Sequence, residues 1–201
     1  MISKDEFTRG YQEFQKRERR DAMYKTATFI VSHFWGNPKN MADGMGVLLL
    51  TWNQAFYRYG PFNFDRLEKV IQSNFNTIQA YHERDIIGLQ PSDEPRIKNL
   101  FTEFLEALQI ADGKMKGRKS PVAVAKALHL LGTSFFTLWD DKIARVYDCY
   151  YNVDPAPKYI SFSYKMKDIA LQVAPHVSMI DKTILKLIDE YNYAKYTKKW
   201  I

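Results

Sequence analysis

The residue whose setting points most directly to chemistry is Asp140, which follows Trp139 and precedes Asp141. A carboxylate at a helix start accepts backbone N–H bonds and favours the positive helix end. Turned toward a cleft, the same group stabilises positive charge or orients a water. The two roles are compatible, because a capping carboxylate is already held in place. Lys126 lies in an alanine-rich stretch. It reads either as a solvated lysine or as an amine nucleophile, the latter requiring burial or a nearby cation to lower its pKa. Asn53 and Gln54 follow Trp52 and the apolar run Val47–Leu50. Two amides there either tie helices together or hydrogen-bond base edges at a cleft mouth. Tyr57 and Arg58 come next, with planar groups suited to stacking on bases.

Other patterns are missing. The chain has no Gly-x-x-x-x-Gly-Lys-Ser/Thr loop, no Gly-x-Gly-x-x-Gly and no Gly-x-Ser-x-Gly elbow. His33, His82, His129 and His176 are scattered and form no His-Glu-x-x-His, so no metal site is expected. No cofactor is expected either. His129 stands in an apolar run and needs a hydrogen-bond partner if buried. Cys149 is the single cysteine, which rules out an internal disulfide and reads as a buried structural thiol.

These residues sit in a basic, aromatic chain. Its 201 residues carry a net charge of +6, with 46% hydrophobic and 15% aromatic residues. A pI of about 9.2 favours anionic partners such as nucleic acid. The opening MISKDEFTRG has no signal-like apolar core, and no apolar run approaches a membrane span. The expectation is a cytoplasmic (intracellular) protein without a membrane partner, nucleoid-associated if it binds DNA.

Positioning these groups falls to helices. Ser3 and Glu6 form a capping box for a helix to about Phe34, whose middle, Lys16–Arg20, is either a solvated face or a phosphate contact. Gly36–Pro38 breaks it, and Asp43 caps a buried helix to about Tyr59. Further helices are expected over Phe64–Ile71, Asn76–Ile87, and from Ser92 to about Asp112. Gly113–Lys119 forms an exposed basic loop. Ser120 and Pro121 open a helix ended by Gly132, and Asp140 opens one through Tyr150. Pro155 and Pro157 precede a helix to about Pro175, and Ser178 and Asp181 open the last. No alternating strand pattern appears. The fold class is all-α, one domain over 1–201 with two helical lobes around a central helix at Gly46–Phe56.

Over roughly Met41 to Tyr150 this order resembles the helix-hairpin-helix DNA glycosylase superfamily. Val47–Thr51 followed by Asn53 and Gln54 is similar to the family's buried helix and amide-rich turn. Ala123–Leu130 is similar to its small-residue helix, and Phe136–Trp139 to the approach to its aspartate, here Asp140, with Ile143 and Arg145 in the following helix. The resemblance implies a core over 41–150 flanked by 1–40 and 151–201. Two features depart from the family. Its hairpin Gly-x-Gly is replaced by Lys119-Ser120-Pro121-Val122, so phosphate binding falls to Gly117, Arg118, Lys119 and the helix N-terminus. The lysine nucleophile aligns with Ala123, and Lys126 would act from another helix face.

The resemblance implies a DNA-binding protein of base-excision type, hydrolysing an N-glycosidic bond with Asp140 and water around an extruded base. Asn53, Gln54 and Tyr57 would supply the wedge or pocket. The alternative is a non-catalytic helical protein that kept the fold and binds a protein partner or a nucleic-acid end. A third reading is an enzyme acting on a small anionic ligand between the lobes.

Overall fold

Amphipathic spacing and well-formed caps produce eleven α-helices and no strand among the described residues of a computed structural model, which describes residues 2–18, 21–177 and 182–201. The helices are α1 (Lys4–Arg17), α2 (Asp21–His33), α3 (Pro38–Trp52), α4 (Gln54–Tyr57), α5 (Phe64–Ser73), α6 (Phe75–His82), α7 (Glu94–Ala107), α8 (Pro121–Leu131), α9 (Asp141–Val146), α10 (Pro155–Val173) and α11 (Ile184–Asn192). A π-helical turn, Tyr193–Thr197, continues α11.

Several helix starts follow directly from side-chain chemistry. Ser3 accepts from the Glu6 N–H, Ser120 from Ala123 and Asp140 from Ile143, each satisfying an amide that the first turn leaves open. Other boundaries differ from the sequence reading. The first helix is two, α1 and α2, because Glu18 adopts an extended backbone. Pro38 begins α3 instead of ending a loop. Asn37 caps it, and Asp43 lies exposed inside it. Ser92 falls within a short 3-10 turn, Pro91–Asp93, ahead of α7. α9 ends at Val146, and α11 is capped by Thr183. Ser178 and Asp181 lie outside the described residues.

The central helix also differs. α3 turns Leu50 and Thr51 to solvent, whereas eight of the eleven α8 residues are buried. Ala123, Ala125 and Ala127 are fully buried in α8, which packs on α2, α3, α6 and α7. α2 packs on α3 and α1 on α11. Both contacts depend on glycine: a Cβ at Gly44 would meet Ile30 and Val31 at 2.9 Å, and one at Gly10 would meet Tyr191 at 2.5 Å. The α1–α11 contact joins the two ends of the chain, and this pairing closes one side of the cavity described next.

Candidate functional site

His129 anchors the middle of α8. Its Nδ1 lies 2.7 Å from the Phe136 carbonyl oxygen, an acceptor, so Nδ1 carries the hydrogen and Nε2 accepts from the Tyr24 hydroxyl at 2.9 Å. Burial pushes its pKa down to about 4. The imidazole is a structural bridge between α2, α8 and the linker that leads to Asp140.

That linker delivers Trp139 and Asp140 to a cavity of about 430 Å³, within the roughly 300–1,000 Å³ typical of small-ligand sites. Trp52, Asn53 and Phe56 enter it from the α3–α4 corner, Ser120, Val122 and Lys126 from α8, and Asp140 from the α9 start. Phe14 and Glu18 close it from the end of α1, and Asp189, Tyr193 and Thr197 from α11 and the π turn. Both flanking segments therefore contribute walls, which the expected 41–150 core did not include.

Within the cavity the polar groups are tied together. Lys126 Nζ donates to Asn53 Oδ1, and lies 3.4 Å from the Trp52 carbonyl oxygen. Asn53 Nδ2 reaches Ser120 Oγ at 3.4 Å. The amide thus ties helices together and faces the cavity at once. Asp140 Oδ1 accepts from the Ile143 N–H at 2.7 Å, and Oδ2 from the Thr197 hydroxyl at 3.3 Å. Burial nevertheless raises the Asp140 carboxyl above its ordinary range, partly offset by the Ile143 bond and the Lys126 charge.

Behind the wall lies a buried charge cluster. Lys186 Nζ sits 3.1 Å from Asp21, 3.3 Å from Glu190 and 3.7 Å from Asp189, under the rings of Phe14, Tyr24 and Trp52. Lys182 contacts Glu190 at 2.5 Å. Sequence reasoning missed Asp189 altogether. Its signal was two carboxylates, 189 and 190, in an otherwise apolar stretch, but the partner at position 21 is too distant in sequence to be matched by spacing. The charged residues facing the cavity are Glu18, Asp140, Asp141 and Asp189 against Lys126 and Lys142. Four acidic groups against two basic ones disfavour the anionic small-ligand reading.

Comparison with protein-family models, curated proteins and solved structures gives no match.

The remaining expected residues divide. Gln54 is exposed and does not line the cavity, so the amide pair splits, one in and one out. Tyr57 is no wedge: it is buried and its hydroxyl donates to the Leu108 carbonyl oxygen at 2.9 Å. Arg58 is exposed over its neighbour Tyr59. Gly117 is not a phosphate donor through its amide, because that N–H bonds the Ile110 carbonyl oxygen at 2.9 Å. The Arg118 N–H is likewise used, by Met115. Lys119 is ion-paired with Glu106. What the loop offers a phosphate is side-chain charge at Lys114, Lys116 and Arg118, all exposed. Arg118 lies over Phe56, 5.8 Å from its ring centre, so this loop borders the cavity. On α8, Ala123 is buried in the core, whereas Val122 and Lys126, one turn apart, share the cavity face. Among the described residues no helix is long and apolar enough to cross a membrane, and no cluster of His, Cys, Asp and Glu is placed to hold a metal.

Proposed function

We propose that the chain binds nucleic acid and receives an unpaired base in the Trp52–Trp139 cavity, where Asp140 acts in hydrolysis of the N-glycosidic bond. The observation that carries this reading is the convergence of Asn53, Lys126 and Asp140 on one aromatic-walled cavity bordered by the basic loop. Aromatic faces stack on a base, and an amide and an ammonium fix its polar edge. The loop cations hold the backbone outside. Hydrolysis builds positive charge on the sugar carbon, which a fixed carboxylate stabilises. This is the reaction implied by the resemblance to helix-hairpin-helix glycosylases, with a two-lobed glycosylase-like fold as part of the same proposal.

Water, not lysine, is the attacking group in this reading. A nucleophilic amine needs its lone pair, and Lys126 Nζ is directed at two carbonyl oxygens. Val122 occupies the neighbouring cavity position on α8.

One observation favours the non-catalytic reading: both Asp140 oxygens are already hydrogen-bonded within the chain. A single experiment separates the two. The protein is incubated with a panel of oligonucleotides carrying damaged or mispaired bases, and released bases are measured. Release by the wild type that is lost in Asp140→Asn supports hydrolysis. Binding without release across the panel supports the interaction protein.

A further inference from the structure

One side of α2 is spent on the core and the other is left in water. Tyr24, Ala27 and Val31 are its buried side, and Tyr24 reaches His129. On the opposite side Ala22, Thr26, Phe29 and His33 recur at helical spacing, and all four are exposed. Phe29 is 65% exposed, the most open aromatic ring among the described residues. It stacks on His33, with ring centres 5.5 Å apart and planes 18° from parallel. Phe34, 40% exposed, meets His33 edge-on at 4.7 Å. These rings form a flat apolar surface that no other part of the chain covers.

The charge beside them has one sign. From Ala22 to Ala42 the chain has no Asp or Glu, whereas Lys25 and Lys39 lie in this stretch and are exposed. Lys25 stands one turn before Phe29. Of the two carboxylates that bound the stretch, Asp21 is buried against Lys186 and Asp43 lies a turn further into α3.

We propose that this face of α2 is a stacking platform for single-stranded nucleic acid, separate from the cavity. Bases lie on Phe29 and His33, and backbone phosphates lie near Lys25 and Lys39. Every base has a π-face, so an aromatic side chain receives it without regard to sequence. In a duplex those faces are covered by the neighbouring base pairs, so an unpaired strand fits this surface and a duplex does not. The exposed lysines supply the phosphate attraction that such strands require. A lysine beside the ring suits a phosphate better than the dry centre of a protein interface, where lysine is depleted. The platform does not depend on a base entering the cavity, because Phe29 and Tyr24 are on opposite sides of the helix.

The test is fluorescence anisotropy at low salt with a labelled oligothymidylate of about 15 nucleotides. Phe29→Ala should weaken binding by about 5- to 100-fold, and Phe29→Tyr should keep it within about 3-fold of the wild type. His33→Ala should weaken it in the same direction. Lys25→Ala should flatten the slope of log affinity against log salt by about 0.7. An abasic strand of equal length should bind weakly and respond little to Phe29→Ala. Duplex affinity, base release and the melt should be unchanged in Phe29→Ala, since the ring is exposed. No binding of oligothymidylate by the wild type, an unchanged affinity in Phe29→Ala, an abasic strand bound as tightly, or an equal loss on duplex each overturns the proposal. So does a wild-type dimer that Phe29→Ala dissolves while strand affinity stays the same, because the face is then a protein interface. Strand binding that depends on Phe29 in a protein that releases no base would sink the proposed hydrolysis and leave the platform standing.

Discussion

Replacing Asp140 by Asn and by Ala separates its two roles. The cap depends on one acceptor oxygen, 2.7 Å from the Ile143 N–H. Asparagine supplies that oxygen equally well, so Asp140→Asn should melt within about 0.5 kcal/mol of the wild type. Removing a carboxylate that burial disfavours adds a small gain. Alanine supplies no acceptor and should cost about 1 kcal/mol, or about 2–4 °C in a chain of this size. Both variants remove the carboxylate, so base release should fall by about 10²–10⁴-fold in each. Thermal melts and single-turnover release read the two effects independently. An Asp140→Asn protein that releases bases within a few-fold of the wild type refutes the chemical role. Equal destabilisation by both variants refutes the capping argument.

Four further outcomes are expected. Lys126→Met removes the bond to Asn53 while Ser120 still holds that amide. Losing an ammonium contact to the bound base worth about 1.5–3 kcal/mol corresponds to a loss of about 10- to 100-fold in base release, and the buried Asn53 oxygen left without its donor should cost about 1–3 kcal/mol in the melt. Replacing Lys114, Lys116 and Arg118 together by alanine should flatten the slope of log affinity against log salt by up to about 3 on duplex DNA, in filter binding or anisotropy. His129 is buried neutral, with its pKa depressed to about 4 from 6.5. The unfolded chain takes up the proton first as pH falls, so stability is complete above pH 6.5 and declines by about 1.4 kcal/mol per pH unit down to about 4. Urea melts of His129→Leu should lack this acid-side decline. Gly10→Ala drives a Cβ against Tyr191 and should cost about 1–3 kcal/mol, measured by denaturant melts, because α1 and α11 must separate.

The parts of the fold legible in the sequence were those governed by neighbours. Ser120-Pro121 and Gly132 bracket α8, and Asp140 caps α9, because a cap is a contact over three residues. The α1–α2 break was not legible, since Lys16–Glu18 has the composition of a helix surface. The apolar run at Val47–Leu50 suggested the central helix, yet α3 leaves Leu50 exposed while most of α8 is buried. For the site, Asn53, Lys126 and Asp140 were named from the sequence and meet in one cavity. Asp189, Tyr193 and Thr197 were missed because their place depends on α11 packing against α1. Gln54 and Tyr57 open and close the four-residue α4, which exposes the first and buries the second.

The central claim is that a base leaves the nucleic acid and enters the cavity. A crystal structure of the Asp140→Asn protein with an oligonucleotide tests it most directly. The account predicts one base against Trp52 and Phe56, its edge toward Asn53 and Lys126, with backbone phosphates against Lys114, Lys116 and Arg118. An oligonucleotide bound elsewhere, with every base stacked and the cavity filled by solvent, would contradict it.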